Sequence, residues 1–296
     1  MVKNSPLVSI VFPNWNGGEK TINCLDSIYA LDYPNFEVIM VDNFSQDGSK
    51  EDVQKKFLKV QIIENSENKG CVKALNQGFN LAKGDFILRL DNDIILDKNL
   101  LTELVKEILS KEDIGVVFPK IYYHSEPKRF DNLGFSVNLF TSKSSSDRID
   151  KIDKGQFEKK TIVECIPGSV LLARKEVIQK TGGIDENYFL FYEDADWCLR
   201  VAQSGYKIAY VPTTKSWHDC NKKEINPFKM YHYMRSKMIF IKKNGKFYHK
   251  FVFFPLLFFF YVPLSVMRYF FNKKKRFLIK PFFKGLFNGL FHKISK

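Results

Sequence analysis

Residues 86–93, Phe-Ile-Leu-Arg-Leu-Asp-Asn-Asp, end an apolar run rich in strand formers with two carboxylates one residue apart. Side chains at i and i+2 of an extended segment point the same way. Asp91 and Asp93 can therefore converge on one hard cation, and a bound Mg2+ or Mn2+ typically keeps waters and takes phosphate oxygens as its other ligands. That arrangement holds a diphosphate. An Asp-Asn turn after a strand needs no metal, so the pair is weighed against the rest of the chain.

A second pair, Glu193-Asp194, follows the aromatic run Tyr188-Phe189-Leu190-Phe191-Tyr192 and opens a helical pattern in which Trp197, Leu199 and Val201 supply apolar bulk. A carboxylate near apolar surface tends to have a raised pKa, which suits a general base. Asp196 falls in the same first helical turn and is a rival for that role. All three acids would also serve as N-terminal charges favouring the helix dipole.

These groups need a scaffold. Strand-like runs at Val8–Phe12, Glu37–Val41, Val60–Ile63 and Phe86–Leu90 alternate with helical patterns over 19–30, 49–58, 70–82 and 98–110. The alternation predicts an α/β fold with a mostly parallel central sheet flanked by helices, whose ligands sit beyond the carboxyl ends of the strands. Polar and small residues stand there: Asn14, Asn16 and Gly17; Asp42, Asn43 and Ser45; Asn65 and Asn68; then the Asp pair. Such a rim describes a nucleotide site. Neither GxGxxG nor GxxxxGK[ST] occurs, so the phosphates would need the metal.

The chain has 296 residues, 45% of them apolar, and a net charge of +13. Residues 221–296 hold 18 Lys and Arg against the single acid Glu224, while residues 1–220 carry a net −4. The basic tail also carries 21 of the 45 aromatic residues, which disfavours a disordered nucleic-acid-binding arm and fits an anionic membrane surface. Cysteines 24, 71, 165, 198 and 220 form no close pair, as expected of a reducing compartment. The apolar run Leu7–Phe12 is too short for a signal peptide and reads as a first strand. The expected division is a nucleotide-binding catalytic domain over 1–225 and a membrane-associating tail over 226–296.

Val-Ser-Ile-Val-Phe-Pro-Asn-Trp-Asn-Gly (8–17), Phe-Glu-Val-Ile-Met-Val-Asp-Asn-Phe-Ser-Gln-Asp-Gly-Ser (36–49), Glu-Asn-Lys-Gly (67–70) with Ala74-Leu75-Asn76, the Asp91–Asp93 pair, Gly168-Ser169, the 182–200 segment and Trp217-His218 together resemble glycosyltransferase family 2. Within it the chain is most similar to the rhamnosyltransferase-like members of surface polysaccharide synthesis. The resemblance implies a GT-A fold, a UDP- or dTDP-linked sugar donor, a divalent cation (Mg2+ or Mn2+) and inversion at the anomeric carbon. It gives Asp42 the nucleotide base, with Pro13, Asn14 and Asn16 lining the same pocket and Asn43, Lys69 and Asn76 on the donor side. Asp93 becomes the direct metal ligand, Asp91 a contact to ribose or metal-bound water, and His218 the residue completing the metal site. Asp194 resembles the family's base, with Gly168, Ser169, Tyr192 and Glu193 on the acceptor side. Arg200 would touch phosphate or pair with a local acid.

Residues 251–267 carry no charge and approach the lower limit for crossing a bilayer. Basic residues on both flanks oppose a single crossing. Pro255 and Pro263 are expected to interrupt a straight helix, so an interfacial or re-entrant segment at the cytoplasmic membrane face is expected. Further on, Ile279, Phe283, Phe287, Leu290 and Ile294 fall at helical spacing, the pattern of a helix in the headgroup plane or of one packed on the catalytic domain. The acceptor would be a glycan or a lipid-linked glycan. A processive polysaccharide synthase would be expected to show QxxRW, absent here, and a sugar-phosphate nucleotidyltransferase a basic Gly-rich signature after the first strand. A non-enzymatic membrane-binding protein would leave both acid pairs unexplained.

Overall fold

The computed structural model describes residues 5–146, 149–220 and 226–294. Its first half alternates as expected: β1 (Val8–Asn14), α1 (Gly18–Tyr29), β2 (Phe36–Asp42), α2 (Ser49–Lys56), β3 (Gln61–Glu64), α3 (Cys71–Leu81), β4 (Phe86–Leu90), β5 (Ile94–Leu96) and α4 (Leu100–Ile108). Then come β6 (Ile114–Tyr123), β7 (Glu126–Asn132), β8 (Ser136–Asn138), β9 (Lys143–Ser145), β10 (Thr161–Val163), β11 (Val170–Arg174), α5 (Lys175–Thr181), α6 (Glu193–Gln203) and β12 (Lys207–His218). Four helices close the chain: α7 (Pro227–Asn244), α8 (Phe247–Leu256), α9 (Val262–Phe271) and α10 (Ile279–Phe291).

The main sheet runs β10-β12-β6-β11-β4-β1-β2-β3, with β5 added to β12 and β7 to β6. Strands β3, β2, β1 and β4 are parallel, as are β6 and β12. Strand β11 enters between β4 and β6 antiparallel to both, so the sheet is mixed beyond β4. Strand alternation divides the core between the two faces. Val8, Ile10, Phe12, Leu88 and Leu90 pack with α1 and α4 on one face, whereas Val11, Ile39 and Ile87 pack with α3, α5, α6 and α7 on the other. Strand β9 pairs with β8 in a short hairpin.

The expected boundary at 225/226 is no break in packing. Met230, Met234, Met238, Ile239, Phe240 and Ile241 of α7 are buried in the same core as the sheet. Helix α10 then lies on α7. The stripe expected at 279, 283, 287, 290 and 294 is rotated: the buried face is Phe282, Gly285, Leu286 and Gly289, and Phe287 is exposed. Its glycines explain this, because a Cβ at Gly285 would stand 2.3 Å from the Tyr231 carbonyl and one at Gly289 2.5 Å from that of Arg235. Small residues let two helix backbones approach closely.

Nor do the prolines break the segment before it. The chain stays helical over Phe247–Phe271, with a π-helical turn at Leu257–Tyr261 between Pro255 and Pro263 that absorbs the lost amide donors. This helix is long and apolar enough to cross a bilayer, and only 11% of its most apolar stretch is buried. Tyr261 and Tyr269 nevertheless both contact Phe282 of α10, 6.2 Å between ring centres in each case. These contacts hold its second half, and Phe253 and Leu257, buried in the core, hold its first half against the folded body.

A chain ended at residue 225 is expected to aggregate, because it uncovers the apolar surface that α7 buries. Size-exclusion chromatography checks this, and a soluble monomer would contradict the packing. Gly289→Leu should destabilise the intact protein by about 1–3 kcal/mol through overpacking, read by denaturant unfolding.

Candidate active site

Asp91 and Asp93 follow the end of β4, and the Asp91 N–H donates to the Ser169 carbonyl at 2.9 Å. The next residue, Ile94, starts β5, which pairs antiparallel with the end of β12 as Ile94–His218, Ile95–Trp217 and Leu96–Ser216. The Asp219 N–H also donates to the Asp93 carbonyl at 2.8 Å. This ladder delivers His218 to the acid pair: Asp91, Asp93 and His218 offer ligand atoms all within 4.8 Å of one another. His218 Nε2 lies 3.3 Å from Asp93 Oδ1, and Nδ1 is 2.7 Å from Asp131 Oδ2. A carboxylate on the far nitrogen orients a metal-binding imidazole.

Two carboxylates and one imidazole, partly open to solvent, fit Mg2+ or Mn2+ with positions left for phosphate oxygens. The electrostatics agree. Burial pushes the Asp91 carboxyl up to about 6, opposed by Arg89 and helped by Asp93. Burial disfavours charge on His218, but the hydrogen bonds its ring donates to Asp131 and Asp93 outweigh it and raise the ring well above the imidazole range. A divalent cation would relieve the crowded carboxylates and displace that proton.

A cavity of about 600 Å3 opens beside this centre, lined by Pro13, Trp15, Asn43, Asn68, Gly70, Cys71, Asp91, Asn92, Asp93 and His218, with Phe189, Leu190, Asn226, Phe228 and Lys229. Asn43 shapes the lining: its Oδ1 accepts from the Lys69 N–H at 3.0 Å and from Asn65 at 3.1 Å, and its Nδ2 donates to Asn68 at 2.9 Å. Gly70 has φ +85°, and a Cβ there would lie 2.7 Å from the Phe189 ring. Only glycine satisfies both demands.

Several residues expected to line the pocket sit elsewhere. Asn14 is fully buried, donating to Asp42, Ser45 and Ser49 and accepting from Thr21 and Asn92. Asp42 is 3% exposed and accepts from Asn14 and from the Ser45 N–H, each at 3.0 Å, so it braces the loops behind the cavity while Asn43 faces it. Asn16 is exposed and clamps the 45–46 turn through its N–H and Oδ1. Asn76 faces away, tying α3 to the Ile184 backbone and to Glu186. Lys69 contributes its backbone amide.

The second acid pair is split by its surroundings. Phe191 and Tyr192 both adopt left-handed φ, 68° and 66°, a tight turn that starts α6. Asp194 accepts from Arg89 Nη1 at 2.7 Å and from the Gly168 N–H at 2.8 Å. A Cβ at Gly168 would lie 2.0 Å from the Arg89 guanidinium, which accounts for the glycine. Asp196 has no exposed surface and bonds to Arg200, Lys243 and Asn244. It anchors α6 to α7 and faces no cavity. Arg200 reaches the Thr181 and Gly183 carbonyls, not a phosphate position. The raised carboxyl is Glu193: burial and the Asp194 charge push it up to about 8 against Arg89, and its Oε2 has no hydrogen-bond partner among the described residues. The Ser169 side chain is buried nearby, and the Tyr192 hydroxyl donates to the Ser142 carbonyl at 2.9 Å.

Sequence reasoning missed three positions. Arg89 signalled itself as a charge inside an apolar strand. Asn92 bonds to Asn14 and Thr21, both at 3.0 Å, and pins the turn between the two aspartates onto β1 and α1. Asp131 lies in a stretch with no readable signature.

A family model described as glycosyl transferase family 2 matches residues 9–182. The dTDP-rhamnosyl transferase RfbF of Shigella flexneri is 25% identical over 260 residues, 81% of each chain. Glycosyltransferase GlyG of Streptococcus pneumoniae serotype 4 is 31% identical over 125 residues, 41% of each chain, so the matched stretch spans about two fifths of that relative. Among solved structures, a mannosyltransferase from Pyrobaculum calidifontis in complex with GDP-Man and Mn2+ superposes with a TM-score of 0.61 over 98% of this chain and 89% of that one, at 16% identity. That likeness establishes the GT-A fold.

Glu193 yields a stability test. With its folded pKa near 8 and its ordinary value near 4.5, the native state holds a proton that the unfolded state releases between those values. Stability is lost as pH rises through that window. Glu193→Gln should therefore unfold at a higher temperature than wild type at pH 8, by roughly 5 °C, with the gap closing toward pH 5. A gap independent of pH in differential scanning calorimetry would contradict the buried, protonated carboxyl.

Proposed function

Because the chain belongs to glycosyltransferase family 2, we propose that it transfers a single sugar, with inversion, from a UDP- or dTDP-linked donor to a hydroxyl of a glycan or lipid-linked acceptor in surface polysaccharide synthesis. One observation carries this reading: Asp91, Asp93 and His218 converge beside the cavity at the carboxyl end of β4, while Arg89 of the same strand holds Asp194. Donor and acceptor functions thus share one strand.

The exposed indole of Trp15 is positioned to meet a nucleotide in the cavity, whose wall Asn43 braces through its bonds to Asn65, Asn68 and the Lys69 amide. A Mg2+ or Mn2+ held by Asp91, Asp93 and His218 would neutralise the diphosphate as it leaves. Asp131 keeps the His218 ring turned toward that centre. Asp194, 23% exposed, serves as the base that takes the acceptor hydroxyl proton. Each of its oxygens accepts one protein donor and keeps a lone pair for the hydroxyl. Arg89 fixes its orientation, and Glu193, protonated at neutral pH, adds no competing charge. The name of the Shigella relative supports a dTDP-linked deoxysugar as one donor to assay.

The apolar helix 247–271 is proposed to lie in the interfacial plane of the cytoplasmic membrane face, since α7 and α10 pack together on the catalytic body and the helix contacts α10. Aromatic residues such as Phe251, Phe259 and Phe271 stay exposed for that contact.

Asp194→Asn should keep donor binding and lower turnover by at least about a hundredfold, the scale of a positioned proton acceptor. Asp93→Ala should abolish the metal's contribution to donor binding measured by calorimetry. Retained turnover in Asp194→Asn would move the base elsewhere. Release of pyrophosphate in place of nucleoside diphosphate would exclude sugar transfer.

A further inference from the structure

Lys237 stands in the middle of α7 with only 2% of its surface exposed. Among the described residues no carboxylate lies within ion-pair distance of its ammonium, which instead sits over the rings of Tyr261 at 4.1 Å and Tyr233 at 5.8 Å. Burial, with the Lys143 charge nearby, pushes its pKa down to about 8. An unpaired buried cation is costly, and a second cation beside it adds to the cost. Both lysines line one cavity of about 290 Å3, whose other walls are Thr141, Tyr261 and the apolar side chains of Phe253, Leu256, Leu257, Phe260 and Leu264. Leu256, Phe260 and Leu264 are themselves exposed on the apolar helix, so the cavity opens along the surface proposed to meet the membrane.

The cavity is linked through its wall to the start of α6, the helix that carries the candidate base. Ser142, between the lining residues Thr141 and Lys143, accepts the hydroxyl of Tyr192, the residue preceding Glu193-Asp194. The Tyr192 ring packs 5.8 Å from Tyr233, over which Lys237 lies. One layer of tyrosines separates the buried ammonium from the start of α6.

We infer that this cavity binds the phosphoryl group of a lipid-linked acceptor, the anion between Lys237 and Lys143 and the hydrocarbon chain along Phe253, Leu256, Phe260 and Leu264. The inference rests on the glycosyltransferase reading and narrows its acceptor to a sugar carried on a lipid phosphate. Charge complementarity selects the head: two cations, the hydroxyls of Thr141 and Tyr261, and no acid in the lining. The apolar wall selects the tail. A sugar joined to that phosphate would extend toward Tyr192 and Asp194, where its hydroxyl could be deprotonated.

The test uses the full chain in detergent with metal chelated, so that the donor site does not compete, and measures farnesyl diphosphate, farnesol and inorganic pyrophosphate by calorimetry. Farnesyl diphosphate should bind more tightly than either fragment. Lys237→Met should weaken it by about thirtyfold or more, the loss expected when one partner of a buried charge pair is removed. Methionine fills the space of the lysine stem without its buried charge, so this variant should keep or raise its thermal midpoint and keep its UDP affinity in Mn2+. Lys143→Gln, at an exposed position, should weaken farnesyl diphosphate more mildly and cannot disturb the core. Equal binding to wild type and both variants overturns the site. Pyrophosphate binding as tightly as farnesyl diphosphate makes it a free-anion site, and equal competition by phosphatidylglycerol dissolved in the same detergent makes it a general headgroup site; either overturns the acceptor assignment. Loss of UDP binding in wild type would instead overturn the glycosyltransferase reading and leave the lipid result standing.

Discussion

Three residue pairs between β5 and β12 decide where Asp93 and His218 meet, the centre proposed for the cation. His218 reaches Asp93 only because Ile94 pairs with it across the antiparallel ladder. A slip of one residue would turn every side chain of that strand end to the opposite face. The ladder is fixed from both sides, by the Asp219 amide on the Asp93 carbonyl and by the parallel pairing of β12 with β6. Strand β7, on the other edge of β6, then brings Asp131 to the far nitrogen of the same imidazole. The cation site is thus a property of the sheet, assembled from segments distant in sequence.

Around that centre a part-buried ion pair joins the two sides of the proposed site. Arg89 is 4% exposed on β4, and its contact with Asp194 ties the strand that carries Asp91 to the helix that carries the proposed base. Buried pairs of this kind add little net stability, but breaking one leaves a buried charge and is costly. The pair therefore makes donor and acceptor sides interdependent. Helix α6 is also held from behind: Asp196 bonds to Lys243 and Asn244, and Ser236 donates to the Leu190 carbonyl, all from α7. The C-terminal helices support the site as well as carrying the apolar surface.

Much of this was legible in the sequence. The alternating elements, the polar rim and the spacing of Asp91 and Asp93 followed from local periodicity, which strands and helices obey before they pack. Local pattern could not separate Asp194 from Asp196, because both occupy the same helical turn and only tertiary partners tell them apart. The resemblance also placed Asn14, Asp42 and Asn76 on the donor side: a polar side chain at the end of β1 or β2 can face the ligand or the next loop, and Asn14 and Asp42 face protein, as does Asn76 from within α3. The packing of α7 across the expected tail boundary was hidden for a related reason. Charge and aromatic content describe what a helix exposes, whereas the burial of α7 depends on the sheet it meets. On α10 the glycines at 285 and 289, silent in a count of apolar residues, set the packed face.

The central claim is that Asp91, Asp93 and His218 together hold one divalent cation at the diphosphate position. Electron spin-echo spectroscopy of the protein with Mn2+ and a nucleoside diphosphate addresses it directly. The account predicts modulation from a single imidazole nitrogen on the bound Mn2+, lost in His218→Gln. Bound Mn2+ without nitrogen modulation in the wild-type protein would contradict it.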